Sequence, residues 1–250
     1  MSSDTPFYTY TGRNLLDKGE YYMYSQYHGQ PFLLDFISLR TRYVDECEAR
    51  YLLCLKHGNR DDIRRILFEW RSLLGLVGDA FSPEIRAIHL GCDEGAGLEE
   101  PVGTEHYRLS LSDLDTLNEV STGPVLHALL SAIAGGDAFG QEPVYRWLSR
   151  FLQRFEITKR LYACYTPEMK PACQDFRNLA HYGLLSLGLT LYYRQTGNLK
   201  MLNGTLKVND VLCSVPIEQA RLEELLLMVL AIRKEVDNVT LLISSQGVVL

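Results

Sequence analysis

The segment between Asn59 and Gly78 carries the clearest structural signal in this chain. Its apolar residues recur at steps of three and four, the spacing that places side chains on one face of an α-helix. They are Ile63, Ile66, Leu67, Trp70, Leu73, Leu74 and Val77. Asn59 is of a type that caps helix starts, and glycine commonly follows helix ends. The pattern predicts an amphipathic helix that must bury one face.

The segment before it, residues 33–56, carries a similar stripe and ends at His57 and Gly58. A connection this short brings the ends of two helices together. The sequence therefore predicts that the two helices form an antiparallel hairpin.

Helical patterns continue over most of residues 31–236. The further predicted helices are Ser110–Ala134, Glu142–Tyr165, Ala172–Gln195, Leu199–Cys213 and Pro216–Val236. The two ends are instead rich in residues that favour β-strands, at residues 7–11 and 239–250. The predicted fold class is mainly α: a multi-helix bundle of about eight to ten helices with short β segments at the termini.

Changes in composition divide the chain into five parts. The clearest change is an acidic, glycine-rich stretch from Gly91 to Gly103, which is typical of a loop between helical layers. The predicted parts are a tyrosine-rich N-terminal segment (1–30), an N-terminal helical layer (31–90), the acidic loop (91–109), a C-terminal helical bundle (110–236) and a short β segment (237–250).

Composition and charge exclude several classes of protein. Hydrophobic residues make up 46% of the chain and charged residues 22%, which is ordinary for a soluble globular protein. The formal net charge of −6 provides no basic field for nucleic acid, so we expect no DNA binding. No apolar run is long enough to span a bilayer and no signal peptide is visible, so we expect no membrane partner and a cytoplasmic location.

Arg177 and His181 are the strongest candidates for a catalytic pair. If both lie on one helix, their spacing of four residues places them on the same face, at the head of a very apolar run. His181 would act as the acid or base, and Arg177 would hold an anionic group of the substrate. The alternative, which we weigh more heavily, is that the two side chains bridge helices and have no catalytic role.

The order Arg177, Asn178, His181 resembles the catalytic motif of HEPN-type helical ribonucleases. In that family a short polar stretch separates arginine and histidine on one helix. The gap here is three residues, where the family usually has four to six, and the resemblance covers this helix alone. It implies a ribonuclease that would use Arg177 and His181.

Tyrosines are unusually dense near the N-terminus, between Tyr21 and His28. Tyrosine combines a wide contact surface with a hydrogen-bonding hydroxyl, which suits a lid over a ligand or an interface with another protein. The predicted binding residues are Tyr21, Tyr24, Tyr27 and His28. The alternative is a segment that covers the helical core.

No metal site or cofactor is predicted. The six cysteines are widely spread, and neither CxxC nor HExxH occurs, nor a glycine-rich phosphate loop. Asn203, Lys207 and Asp210 share one face of the predicted helix 199–213, which we interpret as a solvated face.

Two functional hypotheses follow. The favoured one is a cytoplasmic helical accessory protein that binds a protein partner, or a second copy of itself, through the tyrosine-rich segment. The alternative is a helical enzyme with a buried pocket that uses Arg177 and His181 on a small anionic biosynthetic intermediate or, less favoured, on RNA.

Overall fold

The computed structural model describes residues 30–93, 109–136 and 141–245, and the account below concerns these. They form eight α-helices: α1 (Gln30–His57), α2 (Arg60–Val77), α3 (Pro83–Asp93), α4 (Thr122–Ala134), α5 (Gln141–Thr158), α6 (Leu179–Thr196), α7 (Leu199–Leu212) and α8 (Leu222–Ser245). The predicted mainly α fold is confirmed. The tyrosine-rich segment and most of the acidic loop lie outside the described residues.

A single small sheet accompanies the helices in the described part of the chain. Strands β1 (Val120–Ser121) and β2 (Cys164–Tyr165) are antiparallel, with Val120 opposite Tyr165 and Ser121 opposite Cys164. The sheet joins the start of α4 to the connection between α5 and α6.

Helix α8 lies at the centre of the bundle, in contact with α1, α6 and α7. Every residue from Leu225 to Ile232 is fully buried, so α8 is covered on all sides in this stretch. Helix α6 packs against α4, α5 and α7 as well as against α8. The core therefore consists of α6 and α8 together with the helices that cover them.

The predicted hairpin of α1 and α2 is wrong in its packing, although its turn is confirmed. Asn59 caps α2 by accepting a hydrogen bond from the backbone N–H of Asp61 at 2.8 Å. Helix α1, however, packs along α8, and α2 contacts α3 and α4. Because α8 is apolar all round, it offers α1 more apolar surface to bury than one face of α2 does.

The predicted β segment at 237–250 is wrong for residues 237–245, which continue α8. Val239 is buried, and the Asn238 side chain donates a hydrogen bond to the backbone oxygen of Thr190 in α6. These tertiary contacts outweigh the strand preference of the local sequence. Residues 246–250 lie outside the described part.

Four predicted helix boundaries are also wrong. Helix α8 begins at Leu222 and not at Pro216, because Ile217–Gln219 form a short 3-10 helix. Helix α4 begins only at Thr122, because residues 110–121 form turns, a short 3-10 helix and β1. Helix α5 ends at Thr158, where Lys159 adopts a left-handed conformation with φ of 56°. Helix α6 begins at Leu179, because the Asn178 side chain caps it by accepting from the N–H of Ala180 at 3.0 Å.

A charged cluster lies between α1, α7 and α8. Arg40 is 3% exposed and forms ion pairs with Asp210 and with the fully buried Glu235. Asn209 donates a hydrogen bond to Glu235 at 2.9 Å. Burial outweighs these contacts and raises the pKa of Glu235 to about 7.

The predicted solvated face of α7 is wrong in part, since Asn203 is also buried and Asp210 contributes to this cluster.

We expect Arg40→Met to lower the free energy of unfolding by about 3–5 kcal/mol at pH 8, because it leaves buried carboxylates without their counter-charge. The cost should be smaller at pH 5, where Glu235 can be protonated. Arg40→Met/Glu235→Met should recover much of the loss. Urea unfolding of the three proteins at both pH values measures this, and an equal cost at the two pH values would contradict it.

Close packing of α6 on α8 depends on Gly183. A Cβ atom at this position would lie 2.7 Å from the Cβ of Leu227 and 3.2 Å from its backbone carbon. We expect Gly183→Ala to lower the free energy of unfolding by about 1–3 kcal/mol through overpacking.

Gly75 in α2 provides the matched control, since a Cβ there meets nothing within 4 Å. Gly75→Ala should instead raise the free energy of unfolding by about 0.5–1 kcal/mol, because alanine favours a helix interior more than glycine does. Equal effects of the two substitutions on the urea midpoint would show that α6 and α8 are not in such close contact.

Candidate functional site

Arg177 and His181 do not share a helical face. Arg177 precedes α6, and its side chain is exposed. His181 lies in the first turn of α6 and is largely buried. The expectation that both residues lie on one helix is therefore wrong, because Asn178 begins the helix between them. The arrangement that the resemblance to HEPN-type ribonucleases implies is absent from these residues.

His181 lies in a tight seam between α6 and the start of α4. Its Nε2 is 3.3 Å from Nδ2 of Asn178, and a Cβ atom at Gly123 would lie 3.2 Å from the same nitrogen. The other ring nitrogen, Nδ1, is buried without a hydrogen-bond partner in the described structure. Burial lowers the pKa of His181 to about 4, so the ring is neutral at pH 7.

A hydrogen-bonded junction next to His181 ties the starts of α6 and α8 together. Glu224 accepts hydrogen bonds from the backbone N–H of Leu179 at 3.1 Å and from the guanidinium of Arg221 at 2.9 Å. Arg221 also donates to the side-chain oxygen of Asn178 at 3.3 Å. The polar groups at this helix start are thus engaged in holding two helices in register.

A groove of about 690 Å³ opens on the other side of Arg221. It lies between the end of α1, the start of α2 and the start of α8. We call it the α1–α2–α8 groove; its lining residues are Arg50, Leu53, Cys54, His57, Gly58, Asn59, Asp62, Arg65, Ile66, Arg221, Leu222 and Glu223. Neither this groove nor the small cavity beside Trp70 and His127 is lined by Arg177 or His181.

Three arginines from three segments converge on this groove. Arg50 is exposed and forms no hydrogen bond or ion pair with another residue that the structure describes. Arg65 is 3.5 Å from Asp62 in an exposed pair, which contributes little stability. The groove therefore presents guanidinium groups that solvent or a ligand can reach, within a chain whose net charge is −6.

The acidic residue Glu223 lines the inner end of the groove. It accepts a hydrogen bond from Nε1 of the buried Trp70 at 3.2 Å. Burial, together with the nearby charge of Glu69, raises the pKa of Glu223. The groove lining thus combines three arginines with two carboxylates, those of Asp62 and Glu223.

The apolar part of the groove comes from Leu53, Ile66 and Leu222. Leu53 is 50% exposed, which is high for a leucine on a helix that otherwise buries its apolar stripe. Arg50, which is unpaired in the described structure, lies beside this exposed leucine, and arginine is enriched at protein interfaces. The groove is thus suited to a ligand that carries both carboxylates and apolar groups.

The remaining predicted site residues lie elsewhere. Tyr21, Tyr24, Tyr27 and His28 fall outside the described residues. Within the described ranges, no group of three or more His, Cys, Asp and Glu side chains is placed to bind a metal ion. In those same ranges no helix has the length and apolarity needed to cross a membrane.

Comparisons with known proteins supply no relative. The chain matches no family model, no curated protein and no solved structure.

Sequence reasoning missed the groove because its arginines are far apart in the chain. Arg50, Arg65 and Arg221 come together only when α8 packs along α1 and beside the turn between α1 and α2. The one local signal is the spacing of Arg221 and Glu224, which favours an ion pair at a helix start.

The buried His181 predicts a specific pH dependence of stability. Its pKa is lowered on folding from 6.5 to about 4, so the unfolded chain takes up the proton first as the pH falls. Its contribution to stability is thus fully present above pH 6.5 and is lost progressively toward pH 4. We expect the wild-type protein to lose about 2–3 kcal/mol more than His181→Gln over this window.

Urea unfolding at intervals between pH 4 and pH 7 measures the difference. His57→Gln is the control, because His57 is exposed at the groove and its replacement should preserve the wild-type pH dependence. Parallel curves for the wild type and His181→Gln would show that solvent reaches the ring.

Proposed function

We propose that this protein is a helical binding protein whose α1–α2–α8 groove takes an acidic, partly apolar segment of a partner protein. The observation that carries the proposal is the convergence of Arg50 and Arg65 around the exposed Leu53, beside the bonded Arg221. Guanidinium groups bind carboxylates through paired hydrogen bonds, which gives direction as well as charge attraction.

Binding is favoured over catalysis by the state of the polar groups. His181, the residue with the best acid–base chemistry in the sequence, is neutral and lies in a helix seam, away from the groove lining. Arg221 is already bonded to Glu224 and Asn178. What the groove offers a ligand is mainly the charge of Arg50 and Arg65 and the apolar surface around Leu53.

A protein segment is favoured over a small ion because the groove is open and long enough to involve three helices. Charge complementarity selects an acidic occupant, and Leu53, Ile66 and Leu222 select one with apolar side chains. Burying Leu53 against such a side chain removes exposed apolar area from water, which contributes roughly 25 cal/mol per Å². Phosphate-rich ligands would gain the charge term alone.

Fluorescence anisotropy with two labelled peptides tests the proposal. The first is an amphipathic peptide that alternates glutamate and leucine at helical spacing, and the second has glutamine at every glutamate position. We expect the first to bind more tightly, and we expect Arg50→Ala and Arg65→Ala each to weaken it by about tenfold, since each removes one charged contact.

Arg42→Ala is the matched control. Arg42 is an exposed arginine on α1 that does not line the groove, so its removal should leave the affinity unchanged. Equal binding of the two peptides, or equal effects of Arg42→Ala and Arg50→Ala, would contradict the proposal. Since Arg50 is exposed and unpaired in the described structure, its replacement should not unfold the protein.

A further inference from the structure

The connection between α5 and α6 holds two cysteines in contact. Cys164 lies in β2, and Cys173 follows after the chain has turned back beside it. Tyr165 and Pro171 form an antiparallel bridge between the two arms, and the N–H of Ala172 donates to the oxygen of Cys164 at 3.0 Å. The backbone thus fixes the two cysteines next to each other across a short hairpin.

The Cys173 sulfur lies against the backbone of the segment that carries Cys164. Sγ of Cys173 is 3.9 Å from the backbone oxygen of Cys164 and 3.7 Å from that of Asp175. The pKa values of the two thiols depend on each other. Both cysteines are free and half-exposed, so a reagent in solution can reach them.

We propose that Cys164 and Cys173 form a reversible dithiol–disulfide site that exchanges with low-molecular-weight disulfides. The proposal rests on the hairpin geometry and is independent of the function proposed for the groove. It concerns neither Cys47, which is buried, nor the other cysteines, which lie on different elements.

The local environment divides the roles of the two thiols. Burial opposes the thiolate of Cys173, but its interactions with Cys164 and with the neighbouring backbone outweigh burial and lower its pKa. The contact with Cys173, burial and the nearby Glu119 carboxylate raise the pKa of Cys164 to about 12. Cys173 is therefore the attacking thiolate, and Cys164 is the thiol that resolves the intermediate.

The exchange proceeds in two steps. The Cys173 thiolate attacks one sulfur of the small disulfide, forms a mixed disulfide and releases one small thiolate. Cys164 then attacks the Cys173 sulfur, gives its proton to the released thiolate, and expels the second small thiolate. The two protein sulfurs are oxidised to one disulfide, and the small disulfide is reduced to one thiol and one thiolate, which takes up from solvent the proton that Cys173 lost on ionisation.

Backbone hydrogen bonds fix the position of the hairpin that carries the two cysteines. The N–H of Ala163 donates to the oxygen of Asp175 at 2.7 Å, and the N–H of Thr122 donates to the oxygen of Ala163 at 2.9 Å. The strand that carries Cys164 is thus fixed on both sides. Closing the bond would fasten the chain just before Asn178, the residue that caps α6.

Mass spectrometry of the full chain in glutathione buffers of graded redox ratio tests the site. Trypsin cleaves after Arg160 and Arg177 but not at the Lys170–Pro171 bond, so one peptide, residues 161–177, holds both cysteines. After rapid alkylation, the oxidised protein should yield this peptide unalkylated and lighter by two hydrogen atoms. Both cysteines should lose reactivity at the same redox ratio.

Two variants and one probe make the outcome decisive. Cys173→Ser should leave Cys164 open to alkylation at every ratio, whereas Cys54→Ser should leave the internal disulfide unchanged. The reduced wild type should bind one equivalent of phenylarsine oxide at this peptide, and Cys173→Ser should lose that binding. Separate redox midpoints for the two cysteines, stable glutathione adducts on both, or no arsenical bound to the peptide would each overturn the proposal.

Discussion

Burial of helix α8 is the constraint on which the rest of the fold depends. Its stretch from Leu225 to Ile232 is buried without a break, so it has no face that water can solvate. Such a helix is stable only when other helices enclose it. Helices α1, α6 and α7 provide that enclosure, and α4 and α5 in turn cover α6. The arrangement of the helices around α8 follows from this requirement, because each outer helix covers the apolar surface of an inner one.

Close enclosure demands small residues at the contacts. Three glycines leave room for a leucine of a neighbouring helix, where a Cβ atom would be in too close contact. The pairs are Gly183 with Leu227 of α8, Gly188 with Leu148 of α5, and Gly204 with Leu152 of α5. The sequence of α6 contains small residues along its apolar run, among them Gly183 and Gly188, and so permits other helices to approach closely. It did not indicate that α8 and α5 would be the partners, since partner choice depends on the apolar surface of the whole assembly.

Periodicity predicted the helices well where packing and local sequence agree. The ends of α1 and α2 were predicted to within a few residues, because Asn59 and the turn at Gly58 mark them chemically. It failed at residues 110–121, 159–165 and 172–178, which form turns, strands and loops instead of α-helix. The N–H of Leu161, for example, donates to the hydroxyl of Tyr182 at 3.0 Å. No spacing rule reveals a partner that lies 21 residues away.

The candidate sites follow from how the fold uses its polar groups. Around α8, Arg40 forms an ion pair with Glu235 and Asn209 donates a hydrogen bond to Glu235 inside the bundle, and Arg221 and Glu224 hold the starts of α6 and α8 together. These charged groups bond mainly to one another, so they offer little to a ligand. Arg50 and Arg65 differ because the turn between α1 and α2 leaves them at the edge of the bundle, where solvent meets apolar surface. Because other helices enclose the middle of α8, the polar groups of this helix that a ligand can reach lie on either side of the enclosed stretch in the described structure. The α1–α2–α8 groove lies at its start.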